Sequence, residues 1–400
     1  MKDNVSEFEK LAFGMFVHFG LYSILGRGEW HLKLNGGRDL ESYRKLKDRF
    51  FVKRDWAEKL ADTAKRAGCR YITLTARHYD GFSLYDTCRL SDYDSVHSAS
   101  GRDFVLEFAD ACRARGLLAF LYHTFADWNS RDYEENFSVY TENLYKSVEL
   151  LCTRYGKIGG IWLDGMWEKP EAEWHEDELY GMIHCLQPEA VIINNSGLSA
   201  RGHIRHPEID CVTFERGKPY KLRDTDRHRS GEMCQVLNKH WGYAERDINY
   251  KSVAELLSDF IDCRRYNCNF LLNTGLMGDG SMRPMDDCIF SEIGKWIDLS
   301  GGIVCRSHGS EFDCEGGTVL TDGKKYYIAV KNVTMDADPN VTIHGKCPFV
   351  KVLTDKKIRR AVWLDNGDEI CVEDNCFTVK PFWYGTSLCV RFAEIEFEKL

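Results

Sequence analysis

Strand-like apolar runs alternate with amphipathic, helix-like segments from residue 13 to about residue 300, and this alternation restricts the fold more than any other feature. Phe13–Phe19, Tyr71–Thr75, Leu117–His123, Gly160–Leu163, Ala190–Asn194, Ile209–Phe214 and Phe270–Leu272 read as strands. Asp55–Gly68 reads as a helix, with Asp55 as N-cap, Glu58 three residues on and Gly68 as the stop. Asp103–Gly116 reads as a second, with Phe104, Phe108 and Ala111 on one face. Further helices are expected over Glu134–Tyr155 and Glu171–Leu186, and from the Ser252/Glu255 capping box to about Tyr266. About eight strands with helical crossovers imply right-handed parallel connections. A (β/α)8-like barrel fits the length, with an open doubly wound sheet as the alternative. No G-x-G-x-x-G follows the first strand, which weakens the dinucleotide-binding version of the latter.

The pattern changes after residue 300. Asp322-Gly323 and Asn366-Gly367 each stand between β-rich runs, a strong hairpin signal, and Val390–Phe397 alternates at period two. The expected organisation is an α/β barrel over 1–300 followed by a C-terminal antiparallel β-sandwich over 301–400, divided near Ser300–Gly302.

Composition narrows the function. A formal charge of −9 suits no polyanion, so nucleic acid is not an expected partner. No apolar run approaches the roughly 20 residues of a membrane span, and Met1–Lys10 carries no apolar signal region. A cytoplasmic location is the expectation, without membrane association. The 16 cysteines include no C-x-x-C pair, so buried free thiols are favoured over a zinc ribbon or a redox motif. Aromatic residues reach 13%, which serves a large core and also the sugar-stacking faces of carbohydrate-handling proteins.

In a barrel, active-site groups come from strand C-termini. The expected strands end at His18, then Arg77-His78-Tyr79-Asp80, then Tyr122-His123 with Asp127-Trp128 beyond. The next end at Trp162-Leu163-Asp164, Asn194-Asn195 and Phe214-Glu215. One terminal Asp is usually a cap or turn residue; six consecutive polar strand ends on one rim are a pattern. Asp164 and Glu215 are the paired carboxylates that glycosidic chemistry needs, one ionised and one protonated. Trp162 and Phe214 beside them would help separate their pKa values. His18, His78 and Asp164 are also conceivable metal ligands for a hydrolase, though no H-x-H or H-E-x-x-H spacing supports that use.

These residues resemble a known family. Phe13-Gly14-Met15-Phe16-Val17-His18-Phe19-Gly20-Leu21-Tyr22-Ser23 is similar to the opening strand of the alpha-L-fucosidases of glycoside hydrolase family 29. Gly28-Glu29-Trp30 resembles that family's Glu-Trp pair, and Thr75–Phe82 its His-His-Asp-Gly-Phe segment. Gly160-Ile161-Trp162-Leu163-Asp164-Gly165 resembles its nucleophile segment; Trp241-Gly242-Tyr243 and Leu271-Leu272-Asn273-Thr274-Gly275 resemble two later signatures. The match runs in order through most of residues 11–300.

The resemblance implies a barrel followed by a β-sandwich, and a retaining, exo-acting hydrolysis of terminal alpha-L-fucosides through a covalent fucosyl-enzyme. It implies fucosylated oligosaccharides or glycoconjugates as substrates and no cofactor or metal. Asp164 matches the nucleophile, and Glu215 falls where many members keep the acid/base, so their carboxyl groups should lie about 5–5.5 Å apart. His18, Glu29, Trp30, His78, Tyr122, Trp162 and Trp241 match sugar-contacting positions. Tyr79 replaces the family's second His, and a phenol still donates to a sugar hydroxyl. A frequent Arg after the fifth strand is missing near Asn195-Ser196, with Arg201 the nearest substitute. These departures motivate a second reading, a carbohydrate-binding protein on an inactive hydrolase scaffold; a metal-dependent hydrolase on the barrel is the third.

Overall fold

Eight parallel strands close into a barrel: β1 Phe13–His18, β2 Tyr71–Arg77, β3 Leu118–Thr124, β4 Gly160–Asp164, β5 Val191–Asn195, β6 Cys211–Thr213, β7 Ser230–Val236 and β8 Cys268–Gly275. The ring closes where β1 pairs with β8, from Phe13 opposite Phe270 to His18 opposite Gly275. This computed structural model describes residues 2–34, 39–196, 204–222, 224–226, 228–336 and 348–398. The strands are covered on both faces, so β1, β5 and β8 are buried throughout and read as apolar runs rather than alternating ones.

Helices Trp56–Arg66, Phe104–Ala114, Phe137–Arg154, Glu176–Leu186, Val253–Arg265 and Pro284–Leu299 form the outer layer. The capping box at Ser252/Glu255 is formed on both sides, and Asp103 accepts from the Leu106 amide. Asp55 makes no such bond; its carboxylate turns to Lys59, 2.6 Å away. The expected helix over Glu134–Tyr155 is two pieces, Asp132–Glu135 and Phe137–Arg154, split where Asn136 leaves helical geometry (φ −140°). The helix expected from Glu171 starts at Glu176. His175 before it is left-handed, and Glu176, Asp177 and Glu178 fill the first turn, where carboxylates suit the helix dipole. Among the described residues, the links from β5 to β6 and from β6 to β7 carry no α-helix.

The barrel is filled by large side chains. Phe16, Tyr71, Phe120, Tyr122, Trp162, Ile193, Cys234 and Leu271 form one buried interior cluster. Gly14 makes room for this: a Cβ there would sit 2.3 Å from the Tyr71 ring. The short helix Asp3–Glu9 stops the end of the barrel opposite the strand C-termini. Its Val5 and Phe8 join the interior cluster, and Phe8 lies 5.5 Å from Tyr71 and 5.4 Å from Phe120, ring to ring.

Beyond the barrel, two antiparallel sheets face each other. One orders strands 358–363, 390–397, 326–331, 318–321 and 308–309; the other orders 313–315, 349–353 and 376–378. Val319, Ile328, Val350, Val352, Trp363, Phe377 and Ile395 make the core between them. Asp322-Gly323 is the tip of the hairpin joining 318–321 to 326–331, with Gly323 at φ 83°. Asn366-Gly367 also turns, but the returning chain contributes only a bridge at Glu369, and strand 358–363 pairs with 390–397 instead.

Candidate active site

Parallel register brings the strand C-termini to one level: Thr124, Asp164 and Asn195 are neighbours across β3, β4 and β5. His18, Trp30, His78, Tyr79, Tyr122, Trp162, Asp164, Glu215 and Trp241 line one cavity there, with Phe16, Trp167, Asn195 and Cys234. Of the residues expected in the site, only Glu29 stands behind this wall. It is buried and accepts from the Gly242 amide at 2.7 Å, which anchors the loop carrying Trp241. Burial raises its carboxyl above the ordinary range. A larger groove of ≈ 520 Å³ runs between helices 56–66 and 284–299, but its charges are matched as Lys53–Asp279 and Arg66–Asp287, and no reactive groups converge in it.

Asp164 is the best-held group of the site. Tyr79 and Tyr122 both donate to Oδ2, at 2.8 and 2.9 Å. Asn195 Nδ2 lies 3.3 Å from Oδ1 and donates to Glu215 Oε2 at 2.9 Å, while Thr213 donates to Asn195 Oδ1 at 3.0 Å. One amide thus spans the two carboxylates. Its two contacts laid end to end limit Asp164 Oδ1 and Glu215 Oε2 to about 6.2 Å apart. Burial, and then the negative charge of Glu215, push the Asp164 carboxyl up to about 7, against the two phenols that favour its ionised form.

The histidines are neutral. His18 pairs with Asn273 Oδ1 at 2.7 Å, and burial lowers its imidazole to about 3. Asn273 in turn donates to the Trp241 carbonyl at 2.7 Å. His78 stacks on Tyr122 with centroids 5.7 Å apart, burial holds it well below the usual histidine range, and its Nδ1 has no protein partner. A neutral imidazole with a ring nitrogen to spare suits a sugar hydroxyl. Trp241 stacks on His18 at 5.4 Å, and Trp30 meets Tyr79, Trp128 and Trp167 in one aromatic wall. His123, His175 and His184 stay outside the cavity lining.

Three features escape a reading of the sequence. Glu232 on β7 is buried beneath the site, accepts from Trp162 Nε1 at 2.9 Å and from Tyr71 Oη at 2.5 Å, and is raised to about 7 by burial. Trp162 therefore offers the cavity its ring face rather than its N–H. Arg216 follows Glu215 in a left-handed conformation (φ 49°) and sets its guanidinium 5.0 Å over the Trp241 ring. Trp167 adds an indole whose N–H has no protein partner. Arg201 lies outside the described residues. Among the described residues, no three His, Cys, Asp or Glu side chains group as metal ligands.

A parallel eight-stranded barrel with two bridged carboxylates, neutral imidazoles and indole faces at its C-terminal mouth is the arrangement of a barrel glycoside hydrolase. A family model described as alpha-L-fucosidase matches residues 2–302, and the chain belongs to that family. The tissue alpha-L-fucosidase of Rattus norvegicus is 27% identical over 336 residues, which is 75% of this chain and 69% of the rat protein. The structure of alpha-L-fucosidase isoenzyme 1 from Paenibacillus thiaminolyticus superposes with a TM-score of 0.86 at 28% identity, over 100% of this chain and 99% of that one. An alpha-L-fucosidase from Bacteroides thetaiotaomicron, solved as a trapped covalent intermediate, superposes at 0.82 with 20% identity over 100% of this chain and 97% of that one, a likeness of fold.

Proposed function

We propose that this protein is a retaining, exo-acting alpha-L-fucosidase that hydrolyses terminal alpha-L-fucosides of oligosaccharides or glycoconjugates through a covalent fucosyl-enzyme. One observation carries the reading: a single Asn195 nitrogen contacts both carboxylates, so their facing oxygens lie within about 6.2 Å, which admits the retaining separation. Inverting enzymes separate their carboxyl groups by about 6.5–9.5 Å to admit a water, and retaining ones by about 5–5.5 Å. The trapped covalent intermediate of the Bacteroides relative supports the same reading.

In this mechanism Asp164 attacks the anomeric carbon while Glu215 protonates the departing oxygen. Glu215 then takes a proton from water, which releases fucose with the configuration retained. His18 and His78 hydrogen-bond ring hydroxyls, while Trp30, Trp162 and Trp241 pack on apolar faces of the sugar. Fifteen free cysteines among the described residues support a reducing, cytoplasmic setting.

The test is release of 4-nitrophenol from 4-nitrophenyl alpha-L-fucoside by wild type and D164A. Release by wild type with near-total loss in D164A is expected. Azide should then restore turnover in D164A through an inverted fucosyl azide. Equal release by both proteins would remove Asp164 from its role. Binding of fucosylated oligosaccharides with no turnover on any of them would leave a carbohydrate-binding protein instead.

A further inference from the structure

We infer that Tyr79 is a positioning residue for the nucleophile, clamping one oxygen of Asp164 so that the other attacks, rather than a donor to the sugar. The inference rests on the reading of Asp164 as nucleophile. Tyr79 and Tyr122 reach the same atom, Asp164 Oδ2, at 2.8 and 2.9 Å. Two short donors use the acceptor capacity of that oxygen. Oδ1 has the longer Asn195 contact of 3.3 Å, and the Gly165 amide also bonds the carboxylate. Oδ1 is therefore the less firmly held oxygen and the one placed to form the glycosyl bond, while Oδ2 carries the two phenol hydrogen bonds.

A phenol has one proton to donate. While Tyr79 gives it to Asp164, it can only accept from a sugar hydroxyl. Its ring cannot easily swing to another partner. It is buried, stacked on Trp128 at 5.0 Å, and wedged against Trp30, Trp167 and His78. The chain also leaves space for this reach. Gly165, at φ 91°, follows the nucleophile, and a Cβ there would come within 2.8 Å of the Tyr79 ring.

Removing the donor makes the carboxylate harder to ionise. The other titratable groups around Asp164 are Tyr122 on β3, Glu215 across Asn195, His78 after β2 and Cys234 on β7. All are kept in Y79F, which deletes only the hydroxyl and preserves the stacked ring.

The experiment has two arms. Protein labelled with ¹³C at aspartate carboxyls is titrated by NMR as wild type and Y79F, with the Asp164 resonance identified by its loss in D164N. The expected result is an Asp164 midpoint about one pH unit higher in Y79F. In parallel, kcat for 4-nitrophenyl alpha-L-fucoside should fall at least about tenfold in Y79F, with KM within about threefold and the acidic limb moved up by the same amount. An unmoved Asp164 midpoint would overturn the clamp. So would a raised KM at unchanged kcat, the signature of a sugar contact. A wild type that turns over no fucoside refutes the proposed function alone, and the NMR titration still decides the role of Tyr79.

Discussion

Replacing Asp164 with Asn should stabilise the fold at alkaline pH and leave it almost unchanged in acid, while abolishing hydrolysis. The carboxyl is raised from 3.8 to about 7, first by burial and then by the charge of Glu215. Its folded-state value thus lies above its unfolded one. Below about pH 4 both states hold the proton and the group is neutral in each, so no stability is lost. As pH climbs from 3.8 to about 7, the unfolded chain ionises freely and the folded chain resists, so stability drains away. Above about 7 the cost is complete and flat. At about 1.36 kcal/mol for each pH unit between the two values, the ceiling is about 4 kcal/mol. The carboxylate keeps partial access to the cavity, and solvent there reduces the figure to about 2 kcal/mol. Asn has the same shape and no charge, and the Tyr79 and Tyr122 hydroxyls can accept from its amide as well as donate to its oxygen. For a chain this long, about 2 kcal/mol corresponds to about 2 °C in Tm. The assay is matched thermal scans of wild type and D164N at half-unit steps from pH 4 to 9; the difference between the two curves cancels every group not coupled to Asp164. The gain of D164N should grow from near zero at pH 4 to about 2 °C above pH 7.5. A difference that stays constant with pH, or that favours wild type at pH 8, would refute the reasoning.

Other expectations follow from the same geometry. Attack requires ionised Asp164, so kcat/KM should fall about tenfold per pH unit on the acid side of a limb near neutrality; a pH–rate profile still flat at pH 5 would contradict the raised carboxyl. N195A removes the amide shared by Asp164 and Glu215 and should lower kcat/KM by about 10–100-fold, since a hydrogen bond to a charged group is worth about 1.5–3 kcal/mol; steady-state kinetics within twofold of wild type would deny the bridge a role. In the sandwich, Arg391 is buried over Trp363 at 4.2 Å and holds both oxygens of Asp365, at 2.8 and 3.0 Å. R391A strands the Asp365 carboxylate and should cost about 3–5 kcal/mol, read as an earlier unfolding step in calorimetry; a Tm within 1 °C of wild type would show that water replaces the guanidinium without loss.

The barrel was legible because strands covered on both faces advertise themselves as apolar runs, as β1 and β8 do. β7 did not, because Ser230–Val236 carries Glu232 into the barrel and Gln235 toward the helix layer, where it donates to Asp259. Glu232 is tolerable there only because Trp162 and Tyr71 both donate to it, and those partners lie about 70 and 160 positions away in sequence. The same limit applies to the site. Asp164 and Glu215 stand at strand ends, where position alone marks them. The bridge between them is an Asn, a residue type that a search for acids, bases and nucleophiles passes over. Arg216 is invisible for a different reason: its direction depends on a left-handed backbone angle, which the residue type does not announce. Tyr79 was visible as a departure from the family, yet its partner was not, because the hydroxyl crosses from the loop after β2 to the end of β4. The helix interruption at Asn136 and the late start at Glu176 are boundary effects, set by tertiary packing more than by propensity.

The short helix Asp3–Glu9 ties into the underside of the barrel at several points: Asn269 donates to the Phe8 carbonyl, Asn4 to the Ala190 carbonyl, and Lys2 pairs with Asp210. Its seat includes Tyr71, Phe120, Cys211 and Cys234, so the docking surface is complete only after some two hundred further residues have left the ribosome. This helix must therefore wait, with Val5 and Phe8 uncovered, for the ring to be assembled beneath it. The same geography has a practical side. A protein immobilised through this end would stand on a support with its catalytic mouth turned outward, open to bulky glycans arriving from solution.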